Sequence, residues 1–296
     1  MTLDAVFAEY RSLLFTIAYE ILGSATDAED VVQDSYLRLR DTDFGEVTHP
    51  RAYLVQVVTR QSLNQLRAAR RRREDYVGTW LPEPVRTESD TSDDAVLAES
   101  VSMAMLLVLE TLGPNERVVF VLSEVFGFSH PEIAAMVGKS DATVRQIAHR
   151  ARSHVHARRK RFEPDRQTSR SVVGRFLLAA RTGDVKALMD VLAPDVVQLA
   201  DGGGRVAAAR WPITGREPVA KYLTGLARNG LSEWDTQLAT YNALPAVLLS
   251  VDGRLDSILM FDIRDGLVHR LYAVRNPDKL RSADEHRPLT RAVESV

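Results

Sequence analysis

The sequence predicts a multidomain chain in which two all-α domains precede an α+β domain with a curved antiparallel sheet. Three observations carry this. Apolar residues recur at three- and four-residue spacing through roughly the first 160 positions, the period of amphipathic helices. A helix, tight turn, helix pattern closes that half. From about residue 234 the pattern shortens to strands separated by Asp252-Gly253 and Asp265-Gly266, dipeptides that favour hairpin turns.

The first domain is expected over residues 1–75. Leu3, Val6, Phe7, Tyr10, Leu13, Leu14, Ile17 and Ile21 fall on one helix face, which ends near Gly23. In "TDAEDVVQDSYLRL", Thr26 and Glu29 have capping-box spacing, Val31, Val32 and Leu39 point inward, and Glu29, Asp30, Gln33 and Asp34 form an outward acidic patch. A third helix starts at His49-Pro50, proline being suited to a first helical turn. Leu54, Val55, Val58, Ser62, Leu66 and Ala69 make its inward arc, and Tyr53, Gln56, Arg60, Asn64, Arg67 and Arg71 its opposite face. Guanidinium forks pair with phosphates and amides reach base edges, so this stripe suits a nucleic-acid backbone; a solubilising face is the plainer alternative.

Charge is arranged in blocks that the net value of −2 hides. Residues 51–73 carry seven arginines and no acid, residues 83–99 are acidic, and residues 139–161 are basic again. The acidic stretch reads as a linker over 76–96, with Trp80-Leu81-Pro82-Glu83-Pro84 near its start. Its prolines favour an extended segment ready to dock, and Trp80 is too large to leave exposed among acids, so an apolar partner surface is expected for it.

The second domain is expected over 97–162. Ser129 or His130 caps a short helix with Pro131 in its first turn, Gly138 frees the turn, and Ser140 caps the next helix. There Val144, Ile147, Ala148, Ala151 and Val155 face the core. Ala142, Arg145, Gln146, His149, Arg150 and Ser153 face out, small, amide and basic side chains of the kind that read a major groove. His149, His154 and His156 lie close together, but with no cysteine and no acidic cluster beside them they read as groove or phosphate contacts rather than a metal site.

In order along the chain, these motifs resemble the extracytoplasmic-function sigma factors of bacterial RNA polymerase. "DAEDVVQDSYLRL" is similar to the part of sigma region 2 that docks on the polymerase clamp, and "HPRAYLVQVVTRQSLNQLRAARRRRE" to the part that melts and reads the minus-ten element. The helix-turn-helix resembles region 4, which reads the minus-thirty-five element. The resemblance implies that Glu29, Asp30, Gln33 and Asp34 contact core polymerase. It places Tyr53, Gln56, Arg60, Asn64, Arg67 and Arg71 on minus-ten DNA, and Ser140, Thr143, Arg145, Gln146, His149 and Arg150 on minus-thirty-five DNA. The implied partners are core polymerase, through its clamp and flap, and promoter DNA. Tyr53 stands where the family usually has tryptophan and Asn64 where it usually has aspartate.

The third domain is expected over 168–296, helices first and then an antiparallel meander wrapped round a helix. It resembles the SnoaL-like domains of the NTF2-like superfamily. In "VVQLADGGGRVAAARW" the three glycines have the composition of a phosphate cradle, yet the text reads as strand, turn, strand without the following helix that would bind the anion, so nucleotide binding is not expected. Asp201, Asp262, His269 and Tyr272 are the side chains that could converge on a cavity as proton carriers, and the fold leaves room for an unidentified small-molecule ligand. A subgroup of the sigma family carries such an extension with three motifs, which are matched here by "WLPEP", by Asp201-Gly202-Gly203-Gly204-Arg205 with arginine in place of lysine, and by "NPDKL" from Asn276 and Pro277 onward. This resemblance implies a regulatory contact between extension, linker and core through Trp80, Pro82, Asp201 to Arg205, Asn276 and Pro277.

The absence of cysteine rules out disulfides and thiolate metal sites. No cofactor, metal or catalytic residue is expected. No run approaches the length of a membrane span and the first residues are acidic, so a cytoplasmic protein is expected. The competing readings are a ligand-sensing regulator that binds operators without polymerase and an enzyme tethered to DNA.

Overall fold

The structure is a computed structural model and describes residues 2–87, 94–158, 166–228 and 234–291. Two compact units emerge, one drawn from residues 1–74, 87–160 and 286–296, the other from 75–86 and 161–285.

In the first unit, α1 (Leu3–Leu22), α2 (Ala25–Leu39) and α3 (Pro50–Glu74) pack on one another. Gly23 ends α1 in the left-handed region at φ 69°, and its N–H donates to the Tyr19 carbonyl, a backbone conformation that costs glycine nothing. Ser24, not Thr26, caps α2 by accepting from the Asp27 N–H at 3.0 Å. The chain has already entered α2 at Ala25, which puts Thr26 past the cap, and Glu29 pairs with Arg11 at 2.6 Å instead of closing a box. Short helices α4 (Ala95–Ser100), α5 (Met103–Glu110) and α6 (Pro114–Phe120) follow. A π-helical turn over Val121–Val125 leads into α7 (His130–Val137) and α8 (Asp141–Arg158). Ser129 and Glu132 form a capping box at α7, and Gly138 turns the chain at φ 66°.

The second unit holds α9 (Arg166–Thr182), α10 (Val185–Val191), α11 (Arg216–Arg228) and one six-stranded sheet of order β2-β1-β6-β5-β4-β3. The strands are β1 (Leu192–Asp201), β2 (Ile213–Thr214), β3 (Asp235–Tyr241), β4 (Leu244–Val251), β5 (Arg254–Arg264) and β6 (Leu267–Val274). All pairings are antiparallel except β1 with β6, which is parallel because α11 and the meander intervene before the chain returns beside β1. The strand expected after the glycines is not there. Residues 202–212 run as loop, and only Ile213 and Thr214 pair with β1. Phe176, Leu188, Val219, Phe261 and Leu271 anchor the core between helices and sheet, with Phe176 and Phe261 edge to face at 5.0 Å. A last short helix, α12 (Pro277–Leu280), packs on β5.

Candidate nucleic-acid interface

Helix α8 exposes the side chains its periodicity assigns to the outside. Arg145, Gln146, His149 and Arg150 are exposed, while Val144, Ile147, Ala148, Ala151 and Val155 are buried against α5, α6 and α7. Ser140 caps the helix, accepting from the Thr143 N–H at 3.2 Å, and its hydroxyl lies 2.7 Å from that of Thr143. Both hydroxyls therefore sit at a helix N-terminus, where backbone N–H groups and the dipole favour a phosphate. Arg145 pairs with Asp141 one turn back, and Arg152 with Glu124 at 2.7 Å. These ion pairs are exposed and can be exchanged for phosphates at little cost. Among the described residues no cluster of His, Cys, Asp or Glu could hold a metal ion.

The α3 stripe is divided. Asn64, Arg67 and Arg71 are exposed. Half-buried Gln56 and exposed Arg60 also reach α7: Gln56 Nε2 donates to the Ala135 carbonyl at 2.9 Å, and Arg60 donates to Met136 at 2.8 Å and Ala135 at 3.0 Å. These carbonyls lie in the last turn of α7, where no intrahelical donor remains and a cation complements the dipole. Tyr53 is half-buried, edge to face with the buried Phe44 at 6.0 Å. Part of the expected reading surface is thus a helix cap in this arrangement.

Arg70 and Arg73, members of the same basic run, turn inward. Arg70 donates to the carbonyls of Glu110 and Leu112 at 3.0 and 2.6 Å, and Arg73 to that of Leu22 at 2.8 Å. The Glu110 carboxylate bridges Arg73 and the fully buried Arg117. Burial pushes its pKa up, but Arg117 and Arg73 outweigh that and hold it below the usual carboxylate range. Glu20 lies nearby at zero exposure, accepting from the Ser100 hydroxyl at 2.7 Å, and burial pushes its pKa up to about 8. Sequence periodicity does not reveal this polar core, because its partners come from five helices.

On α2, Asp30, Gln33 and Asp34 are exposed. Burial, then Asp27 and Asp34, raise the Asp30 pKa. Glu29 differs from its three neighbours: besides Arg11 it faces Arg287 of the chain's end at 3.6 Å. Arg287 also lies over Phe15, Thr290 donates to Thr16 at 3.0 Å, and Arg291 pairs with Asp94.

In the second unit, Asp201 organises the docked segment 75–86. Its wholly buried carboxylate accepts from the Tyr76 hydroxyl at 2.5 Å, the Leu81 N–H at 2.9 Å, the Gly203 N–H at 3.0 Å and Lys279 Nζ at 2.7 Å. Lys279 also donates to the Leu81 carbonyl and stands 4.3 Å from the centre of the Trp80 ring, a cation–π contact. Asn276 caps α12 and donates to Tyr76 at 2.8 Å; Pro277 is the first residue of that helix. Arg205 pairs with Asp278 at 2.9 Å. Pro82 is buried, and farther along Val85 exchanges hydrogen bonds with Asn242. Glycine is required in the loop by space: a Cβ at Gly203, where φ is 61°, would lie 2.3 Å from Asn276 Nδ2, and one at Gly202 would lie 2.5 Å from the Val206 carbonyl oxygen. The Gly203 N–H is given to the Asp201 carboxylate, and Gly204 lies against Val77 of the linker. Tyr76 and Lys279 were not singled out individually by sequence; the lysine within "NPDKL" is the signal that could have found one of them.

Of the four side chains considered for proton transfer, Asp262 lies near enough to Tyr272 to help raise its hydroxyl pKa, and each has a setting of its own. Asp201 is occupied as above, Asp262 pairs with Arg264 at 2.6 Å, His269 lies 3.6 Å from Asp195, and Tyr272 is buried, with its hydroxyl pKa pushed up to about 12 by that burial. None of them is among the described residues lining the cavity between α9, α11 and the sheet.

Comparison with known proteins matches these surfaces to a family. Residues 6–72 match the model for Sigma-70 region 2, and residues 102–155 that for Sigma-70, region 4. Over 287 residues, 92% of this chain and 91% of the relative, the sequence is 38% identical to the ECF RNA polymerase sigma factor SigJ of Mycobacterium tuberculosis. It is 30% identical to the probable sigma factor SigI of that organism, with 94% of each covered. The crystal structure of SigJ superposes with a TM-score of 0.76 at 34% identity, covering 96% of this chain and 99% of that one. The likeness thus extends past both DNA-reading domains into the α+β unit. The chain belongs to the extracytoplasmic-function sigma factors of RNA polymerase and, with a likeness to SigJ that runs through the whole chain, carries an α+β C-terminal extension.

Proposed function

We propose that this sigma factor works in the cytoplasm, without catalysis of its own, and that its C-terminal domain governs promoter opening by holding the linker between its two DNA-reading domains. Asp30, Gln33 and Asp34, with Glu29 once released from its arginines, present the acidic patch to the polymerase clamp. Helix α8 enters the minus-thirty-five major groove through Arg145, Gln146, His149 and Arg150, with Ser140 and Thr143 anchoring a phosphate at its N-terminus. Asn64, Arg67 and Arg71 track the minus-ten strand from the outset. Tyr53, Gln56 and Arg60 join them when α7 withdraws, and the bases they capture offset the cost of unstacking.

The observation that supports linker control is the Asp201 carboxylate, whose four donors include two from the linker. Replacing it by asparagine leaves buried Lys279 without its counter-charge, a loss of several kcal/mol when a buried pair is broken. Run-off transcription with purified core polymerase tests the reading. Asp201→Asn is expected to change transcript yield at an unchanged start site, together with faster proteolysis near Trp80. Unchanged yield from a variant whose linker is demonstrably released would remove linker control and leave promoter recognition standing.

A further inference from the structure

Between α9, α11 and one face of the sheet lies a cavity of about 250 Å³. For comparison, an engineered cavity of about 150 Å³ lined by Leu, Ile and Phe stays dry and takes up benzene. Ten of its sixteen lining residues are apolar, Phe176, Trp234 and Leu259 among them, so an apolar molecule is held better than a network of waters. Into this lining projects Gln198 of β1, at an inward position that Val196 and Ala200 share. Gln198 is 2% exposed, and its Oε1 is buried with no hydrogen-bond partner among the described residues. A buried acceptor left unmade is costly, and native structures rarely tolerate one without a purpose.

Two charged side chains, Arg275 and Arg181, reach the cavity wall. Arg275 holds Asp256 through two hydrogen bonds of 3.1 and 2.9 Å and donates to the Ala207 carbonyl at 2.6 Å. Arg181 stands exposed to solvent, and no carboxylate or imidazole is among the described lining residues. A cationic ligand would find no counter-charge among the described lining residues, and an anionic one would find only Arg181, at the solvent-facing rim, beside the already paired Arg275.

We infer that this cavity is a binding site for a small, neutral, ring-containing molecule that donates a hydrogen bond to Gln198. Phe176, Tyr222 and Trp234 supply aromatic surface for its ring system, and the volume suits one or two fused rings. The site belongs to the α+β unit alone, so it stands independently of how promoters are recognised.

Binding of 2-naphthol and 2-methoxynaphthalene to the full-length protein, followed by ligand-observed NMR, tests this. The two probes share a ring system, and only the first donates a hydrogen bond. The wild type is expected to prefer 2-naphthol about five- to tenfold, the effect of one hydrogen bond. Gln198→Leu should bring that preference close to one while 2-methoxynaphthalene binds as before. Ala200→Phe, checked for an intact unfolding transition, should lose both. Should neither probe bind the wild type at millimolar concentration, the cavity is not such a site. A preference that survives Gln198→Leu, or that favours the methyl ether, would overturn the hydrogen-bond assignment; binding that survives in folded Ala200→Phe would overturn the location.

Discussion

Asn242 and Ala243 carry the chain from β3 to β4 with φ of 50° and 56°, and alanine has no natural reason to be there. A left-handed alanine costs about 1–2 kcal/mol, offset here because Asn242 holds both polar groups of Val85. Ala243→Gly should therefore raise stability by about 0.5–1 kcal/mol, the strain relieved less the extra freedom gained by the unfolded chain. Urea unfolding checks this, and equal or lower stability would show that the turn is not strained. Asp252-Gly253 and Asp265-Gly266 were legible in the sequence because their chemistry is self-contained. Asn242-Ala243 was not, since the segment that stabilises it lies far back in the chain. Asp201 teaches the same lesson. Its three glycines suggest a phosphate cradle by composition, and only Tyr76, Leu81 and Lys279, brought in by the fold, reveal what the carboxylate holds.

Among elements, α8 was the most legible and α3 the least. Helix α8 has one face in the core and one free, so the period of its apolar residues separates them without ambiguity. Helix α3 is used on more sides. Arg70 and Arg73 reach the carbonyls and carboxylate of other helices, and Gln56 and Arg60 cap α7, so a basic run that reads as one surface divides into three roles. The same polar core sets a pH dependence. The Glu20 pKa is raised from its ordinary 4.5 to about 8, so the folded state keeps a proton that the unfolded chain gives up. Its contribution to stability is complete below about pH 4.5 and is lost as pH rises towards 8, by at most about 1.4 kcal/mol per pH unit. Glu20→Gln, neutral throughout, should gain on the wild type from pH 5 to 8 and run parallel above that. Urea midpoints measured across this range check it; a constant difference between the two proteins would mean that Glu20 is ionised in the folded state.

For the whole molecule, the division into units departs from chain order. Residues 75–86, which join the two DNA-reading domains, belong with the C-terminal α+β unit, and residues 286–291 return to the first unit to engage Glu29, Phe15 and Asp94. Sequence motifs made the linker's docking legible through Trp80 and "NPDKL", whereas nothing in the composition of the last residues marks Arg287 or Arg291 as structural. The central claim is that α3 and α7, joined here through Gln56 and Arg60, must part for the factor to open a promoter. Because the chain has no cysteine, Gln56→Cys and Ala135→Cys can be joined cleanly by a short bismaleimide containing a cleavable disulfide. Run-off transcription with purified core polymerase should give a transcript from the unreacted double variant, none from the tethered form, and recovery once the tether is reduced. Undiminished transcription from fully tethered protein would contradict the claim.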